Sequence, residues 1–200
     1  TDLWHPQALF NAYGQLSAEA KNNWIWWNLA PPAKMTIRFA DLIQDEPEGC
    51  EWHSDTETAA LLGMMNARHL GKVEAAKNVR ERVVGTVYKR TRVEGGVKAQ
   101  RAEVRFDDLA GCLRTPSGGS SRQSIIVVEG PRVRSRLLAP REAARLMGLP
   151  DTYKLPAKYN DAYHISGDGV ALPVVRHLAN NLFEPILATN GLIPVAMAAE

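Results

Sequence analysis

Little in this chain points outside a water-soluble protein of a reducing compartment. It has two cysteines, Cys50 and Cys112, at no metal-ligand spacing. That excludes a disulfide framework and the common zinc modules, and implies free thiols. No apolar run approaches the ~18–20 residues needed to span a bilayer, and no charged-then-apolar secretory leader appears. The expectation is a cytoplasmic protein with no membrane partner. A G-x-S-x-G elbow, an H-E-x-x-H pair and a G-x-x-x-x-G-K-S/T loop are all missing, which removes three large enzyme classes. The acids Asp45, Glu46 and Glu48 fall in a Pro/Gly loop and read as solvated rather than as a catalytic carboxylate pair.

What is present is distributed unevenly. Totals of 45% hydrophobic and 23% charged residues are ordinary, and 200 residues suffice for one large domain or two small ones. The net charge of +2 conceals a division: residues 1–75 hold 5 Lys/Arg against 10 Asp/Glu, residues 76–145 hold 16 against 7, and residues 146–200 hold 3 against 5. A basic centre between acidic flanks is the footprint of a polyanion-binding module. The bland alternative is a solvated sheet face balanced by the acidic parts in three dimensions.

Residues 5–30 predict a helix running into Trp24, Trp26 and Trp27, read as a packing anchor before a base-stacking platform. Pro31-Pro32 breaks it. Ser54 and Glu57 form a capping box that opens a helix with Ala60, Leu61, Met64 and Met65 at helical spacing. Asn66 caps a second helix, with Leu70 and Val73 inward. Near Arg82 the pattern becomes strand-like. Residues 82–93 and 97–106 are joined by Glu94-Gly95-Gly96 as a hairpin, residues 125–128 form an apolar strand, and Glu129-Gly130-Pro131 turns into residues 132–136. Helix signals return at Pro140, with an acid in the first turn and Gly148 past the end. A last helix is expected at about residues 171–187. The fold class is therefore α+β: a helical lead-in (1–80), a small β-rich unit (81–139) and a C-terminal helical segment (140–200).

Two clusters suit direct nucleic-acid contact. In residues 116–123 (PSGGSSRQ), adjacent glycines allow close backbone approach, and the Ser120 and Ser121 hydroxyls suit phosphate oxygens. Arg122 suits guanine or phosphate and Gln123 suits adenine, with Arg114 just upstream. The second cluster is Lys89, Arg90 and Arg92, with Lys98, Arg101 and Arg105 across the hairpin, a source of salt-dependent affinity. Its bland reading is a strand edge charged against aggregation. Residues 166–170 (SGDGV) read as a glycine-bounded turn opening the final helix, with backbone N–H groups turned outward for an anion.

Residues 136–151 (RLLAPREAARLMGLPD) and 166–178 (SGDGVALPVVRHL) resemble the last two sequence blocks of the DNA cytosine-5 methyltransferases, R-x-L-T-x-R-E-x-x-R-L-Q-G-F-P and G-N-x-V-x-x-x-V. Arg136, Leu138, Arg141, Glu142, Arg145, Leu146, Gly148 and Pro150 match the first block, and Gly167, Val170 and Val174 the second. The resemblance implies the target-recognition region of such an enzyme, with double-stranded DNA as partner and S-adenosylmethionine as cofactor. Its setting would be a bacterial or phage-type, nucleoid-associated restriction-modification enzyme. Backbone contacts from Asp168, Gly169 and Val170 would reach the cofactor; Asp168 stands where the family has asparagine, and an ionised carboxylate cannot donate. Asn160, Tyr163 and His164 would brace that turn, and the Arg141/Glu142/Arg145 set would be structural. The C-terminal helices would complete a Rossmann-like methyltransferase domain absent from this chain. Neither cysteine follows a proline, and no F-x-G-x-G turn or Glu-Asn-Val triplet occurs. The catalytic half is thus expected as a partner, in cis or as a separate subunit, and this chain alone is expected to be inactive. The rivals are a non-enzymatic DNA-binding module and a protein-interaction domain derived from such an enzyme.

Overall fold

The structure, a computed structural model, describes residues 2–34, 36–115 and 122–191. Contacts divide the chain into two units, Thr36–Pro173 and a smaller one made of Thr1–Met35 with Val174–Glu200. The larger is α+β. Its sheet contains β1 (Val83–Glu94), β2 (Val97–Arg105), β3 (Ser124–Glu129) and β4 (Arg132–Leu137), in the order β2-β1-β3-β4. Every pairing is antiparallel. Glu94 faces Val97 across a two-residue turn in which Gly95 and Gly96 both have positive φ (57° and 83°). Only glycine takes two such residues in succession without steric cost, and this turn matches the twist of the flanking strands. The hairpin expected from sequence is therefore present, with Glu94 paired in β1 and only Gly95-Gly96 forming the turn.

β3 shows why the sheet is central. Its SIIVVE run is buried on both faces, which requires a layer on each side. On one face Ile126 and Val128 join Val87, Ala102 and Val104 against Leu61, Met65, Val73 and Ala76 of the α4 (Asp55–Gly63) and α5 (Ala67–Lys77) region. On the other, Ile125 and Val127 meet Phe39, Ile43, Leu138, Ala143 and Tyr163. Those residues come from α3 (Phe39–Leu42), α6 (Pro140–Leu146), α7 (Tyr159–Asp168) and adjoining chain. The boundaries expected at 80/81 and 139/140 do not separate packed units, because the helices before and after the strands supply the two cover layers. The capping box and the Asn66 cap form as read: Ser54 Oγ accepts from Glu57 N–H at 3.2 Å, and Asn66 Oδ1 accepts from His69 N–H at 3.1 Å.

Both sheet edges are covered by non-strand chain. Along β2, Ala102 N–H donates to Met64 O (3.0 Å) and Val104 N–H to His69 Nδ1 (3.1 Å). Along β4, His53 N–H donates to Ser135 O (2.9 Å) and Cys50 Sγ to Leu137 O (3.2 Å). Such cover blocks edge-to-edge association. The half-buried His53 ring meets Ser135 Oγ at 2.9 Å, and burial holds its pKa below the ordinary 6.5. A base with a depressed folded-state pKa stabilises the fold above the unfolded value and loses that contribution as pH falls. Unfolding free energy should decline as pH drops below about 6.5, and a His53→Asn variant titrated by urea denaturation should show a shallower decline. Equal slopes in the two proteins would refute this.

The 136–151 block locks the second face. Arg136 and Glu142 are both fully buried and pair bidentately at 2.8 and 2.6 Å. Arg136 also donates to Gln44 O (2.7 Å), while Glu142 accepts from Gln44 N–H (2.7 Å) and Ala139 N–H (2.8 Å). Ala139 has no side-chain acceptor, so Glu142 supplies the helix-start contact alone. Arg141 and Arg145 turn outward and hold the following loop, Arg141 through Tyr153 O (2.8 Å) and Arg145 through Asp151 (2.7 and 2.9 Å). The set is structural, as the family resemblance implied.

In the smaller unit, the expected helix over 5–30 is two short ones, α1 (Gln7–Gly14) and α2 (Ala18–Asn22), separated where Ser17 caps the second by accepting from Ala20 N–H. Trp24 and Trp26 pack in extended chain against each other and against Tyr13 at 5.0–5.5 Å between ring centroids, an aromatic anchor. The last helical run comprises α8 (Leu172–Leu178), a π-helical turn (Ala179–Phe183) and α9 (Glu184–Thr189). Pro185 lacks the N–H for a regular bond to Asn181 and clashes with its carbonyl; the wider turn before it relieves both. No helix among the described residues is long and apolar enough to cross a membrane.

Candidate nucleic-acid interface

A groove of about 620 Å³ opens where β1 extends beyond its pairing with β3. Lys89 and Arg90 come from β1, Arg105 from β2, Lys72 from α5, and Arg114 and Arg122 from either side of the 116–121 segment; Glu103 is the acid among them. Sequence reading singled out Lys89, Arg90, Arg105, Arg114, Arg122 and Gln123, and all six line this groove. Arg92, Lys98 and Arg101 do not: Arg92 and Lys98 stand further out on the hairpin, and Arg101 faces Arg90 across it. Ser120 and Ser121 lie outside the described residues. Lys72 and Glu103 were missed. Lys72 sits on a helix with no local sign of facing the strands, and only the hairpin register places Glu103 beside Arg90 and Arg92.

The cations differ in commitment. Arg90 and Arg92 both pair with Glu103, Arg90 at 3.6 Å, and its carboxyl is held below the usual range first by Arg92 and then by Arg90. Arg105 binds Asp107 bidentately, which depresses that carboxyl too. Arg90 faces Arg101 directly across the hairpin, and like charges so placed are destabilising. Lys89 and Arg114 enter no ion pair among the described residues. Near Val84–Val87 the ribbon is buried on both faces, and past Lys89 it is exposed on both, because β3 and the helices cover only its first half.

One stripe of α7 holds both flanks of the 116–121 segment. Asn160 Oδ1 accepts from Arg122 Nη2 at 2.6 Å, and the Tyr159 ring lies 5.1 Å below the guanidinium. Tyr163 OH accepts from Gln123 N–H at 3.3 Å. A Cβ on Gly167 would fall 2.8 Å from Thr115 N and 3.0 Å from Arg114 C. Asn160, Tyr163 and Gly167 are spaced i, i+3, i+7 and so share a helix face. Asn160 and Tyr163, expected to brace the glycine turn, brace the Arg122–Gln123 dipeptide instead. Gln123 is buried and its Nε2 donates to Val87 O (3.2 Å) and Ser124 O (3.3 Å). Bidentate contact to adenine needs those donors, so its expected base-reading role is replaced by a bracing one.

Residues 166–170 also differ from expectation. Ser166–Asp168 is the end of α7, not the opening of the next helix, and Gly169 N–H is spent on Ile165 O at 3.1 Å. Val170 is 70% exposed. A helix C-terminus carries negative partial charge and favours cations.

The sequence pattern of the C-5 cytosine-specific DNA methylases matches residues 29–184. The type II methyltransferase M.NlaX of Neisseria lactamica is 39% identical over 67 residues, 34% of this chain and 21% of that protein. M.HhaI of Haemophilus parahaemolyticus is 41% identical over 49 residues, 24% of this chain and 15% of that protein. The DNA (cytosine-5)-methyltransferase CMT2 of Oryza sativa subsp. japonica is 40% identical over 62 residues, covering 31% and 5%. The matched region thus spans about a fifth or less of these relatives. With the match extending from the extended chain before α3 to the start of α9, the chain belongs to the C-5 cytosine-specific DNA methylase family.

Proposed function

We propose that this chain is the DNA-recognition portion of a DNA (cytosine-5-)-methyltransferase that methylates C5 of cytosine in duplex DNA. The observation that carries this is the groove, in which cations from four separate chain segments converge on one concave surface. Lys89 and Arg114, unpaired among the described residues, contact phosphates, and Arg122 faces the bases. The target cytosine is flipped out of the stack, since its ring is unreachable within it. A cysteine thiolate then adds to the ring to make C5 nucleophilic. S-adenosylmethionine would supply the methyl group to C5 and leave as an uncharged thioether, loss of the C5 proton would then expel the thiolate, and Asp168 at the end of α7 would hold the cofactor's cationic portion. The thiolate comes from polypeptide outside these 200 residues. Cys50 is unsuited, because its thiol donates to Leu137 O and burial pushes its pKa up, and a protonated thiol is a poor nucleophile.

The test is retention of a randomised duplex pool at two salt concentrations. Affinity should fall steeply with salt, and the double variant Lys89→Ala/Arg114→Ala should flatten the log–log slope by about 2, roughly one per lost phosphate contact. An unretained pool even at low salt would sink the DNA-recognition reading and favour a protein-interaction domain. Turnover should appear only after mixing with a Pro-Cys-bearing catalytic half.

A further inference from the structure

Arg122 is held by an aromatic ring and a neutral amide, whereas Arg90, which also lies over a tyrosine ring (Tyr88), faces a carboxylate. The Arg122 guanidinium lies over the Tyr159 ring, its Nη2 donates to Asn160 Oδ1, and its buried Nε has no hydrogen-bond partner among the described residues. Tyr159 is itself fixed: its hydroxyl donates to Leu138 O at 2.6 Å, and its ring stacks on fully buried Tyr163 at 5.9 Å and 9°. By contrast, Lys89 and Arg114 are unrestrained by ion pairs among the described residues, and Arg90 and Arg105 already face carboxylates.

We infer that α7 makes Arg122 the specificity-determining residue of the groove, with Tyr159 and Asn160 as its positioning residues. The inference rests on the DNA-recognition reading and deepens it. A planar fork can recognise the O6/N7 edge of guanine bidentately, but discriminates only if its orientation is fixed before contact. Stacking on Tyr159 fixes the plane and the Asn160 bond fixes rotation within it. Binding then costs little further side-chain entropy, whereas a free arginine loses most of its rotamer freedom. The chemistry assigns guanine to one position of the recognised site.

The full chain and four variants would each be selected against the randomised duplex pool, with salt slopes measured in parallel. Arg122→Lys keeps the charge and loses the fork. It should leave the slope unchanged while preference for guanine at one position drops roughly 5- to 100-fold, the range for one bidentate base contact. Asn160→Ala, at an exposed position that leaves the core intact, should weaken the same preference several-fold with the slope unaltered. Asn160→Asp retains the acceptor and should restore it. Lys89→Ala should show the opposite pattern, a shallower slope with an unchanged motif. Overturning results are an unchanged motif in Arg122→Lys or Asn160→Ala, or a uniform loss of affinity without change of preference. Binding by the parent without any motif would overturn this inference and spare the recognition reading, whereas no binding would overturn both.

Discussion

Glu142→Ala should destabilise the protein by about 3–5 kcal/mol, the usual consequence of leaving one member of a buried ion pair without its partner. Both side chains are fully buried, so neither water nor salt screens the Arg136 charge once the carboxylate is gone. Three further groups depend on the pair: Gln44 N–H and Ala139 N–H lose their acceptor, and Gln44 O stays bonded to a cation with no counter-charge. In a chain of this size the loss should lower the melting temperature by on the order of 10 °C. Urea denaturation measures it directly. Arg136→Met combined with Glu142→Leu should cost less than Glu142→Ala alone, because the orphaned guanidinium disappears with its partner. Arg145→Ala, which breaks an exposed pair with Asp151, should cost little. An effect of Glu142→Ala no larger than that of Arg145→Ala would show that the pair does not lock the fold.

The same pair marks where sequence reading stops. Residues 136–151 were legible as a block, and so was their structural role, through the family resemblance, while Pro140, Glu142 and Gly148 as local helix signals delimited the helix. The partner at Gln44 was not: it lies more than ninety positions away, and no periodicity links it to Arg136. The strands were legible because each is bounded by a glycine turn and carries β-branched residues. Their grouping was not, since the helices of residues 55–77 read as a separate lead-in when their apolar stripes in fact cover β1, β2 and β3. Residues 166–170 failed for a more specific reason. Glycine marks helix ends as well as helix starts, and reading Gly167 and Gly169 as a start placed the anion-favouring N–H groups at what is a C-terminus. The stripe Asn160, Tyr163, Gly167 carried the correct signal, a helical period running through the first glycine. Arg122 was found by residue type alone. Its anchors on α7 were not, since Tyr159 and Asn160 are distant in sequence and touch it only through the fold.

That stripe yields the prediction in which two general rules disagree. Alanine is preferred to glycine in a helix by about 1 kcal/mol, so Gly167→Ala within α7 should stabilise the protein if only the helix mattered. Here the added methyl would lie 2.8 Å from a backbone nitrogen and 3.0 Å from a backbone carbon. Side chains swing aside, but the Arg114–Thr115 backbone can only shift as a piece. Overpacking of this kind costs about 1–3 kcal/mol, so the net sign should be destabilising, whereas Gly71→Ala in α5, where nothing lies within 4 Å of the new Cβ, should stabilise by up to about 1 kcal/mol. Displacing Thr115 also moves Arg114, so duplex binding by Gly167→Ala should weaken and its salt slope flatten by about 1, as for loss of one phosphate contact, while Gly71→Ala binds as the parent does. Paired measurements of unfolding and of duplex affinity across salt test both halves. A Gly167→Ala protein as stable as Gly71→Ala, with an unaltered salt slope, would mean that α7 does not seat the chain beside the groove.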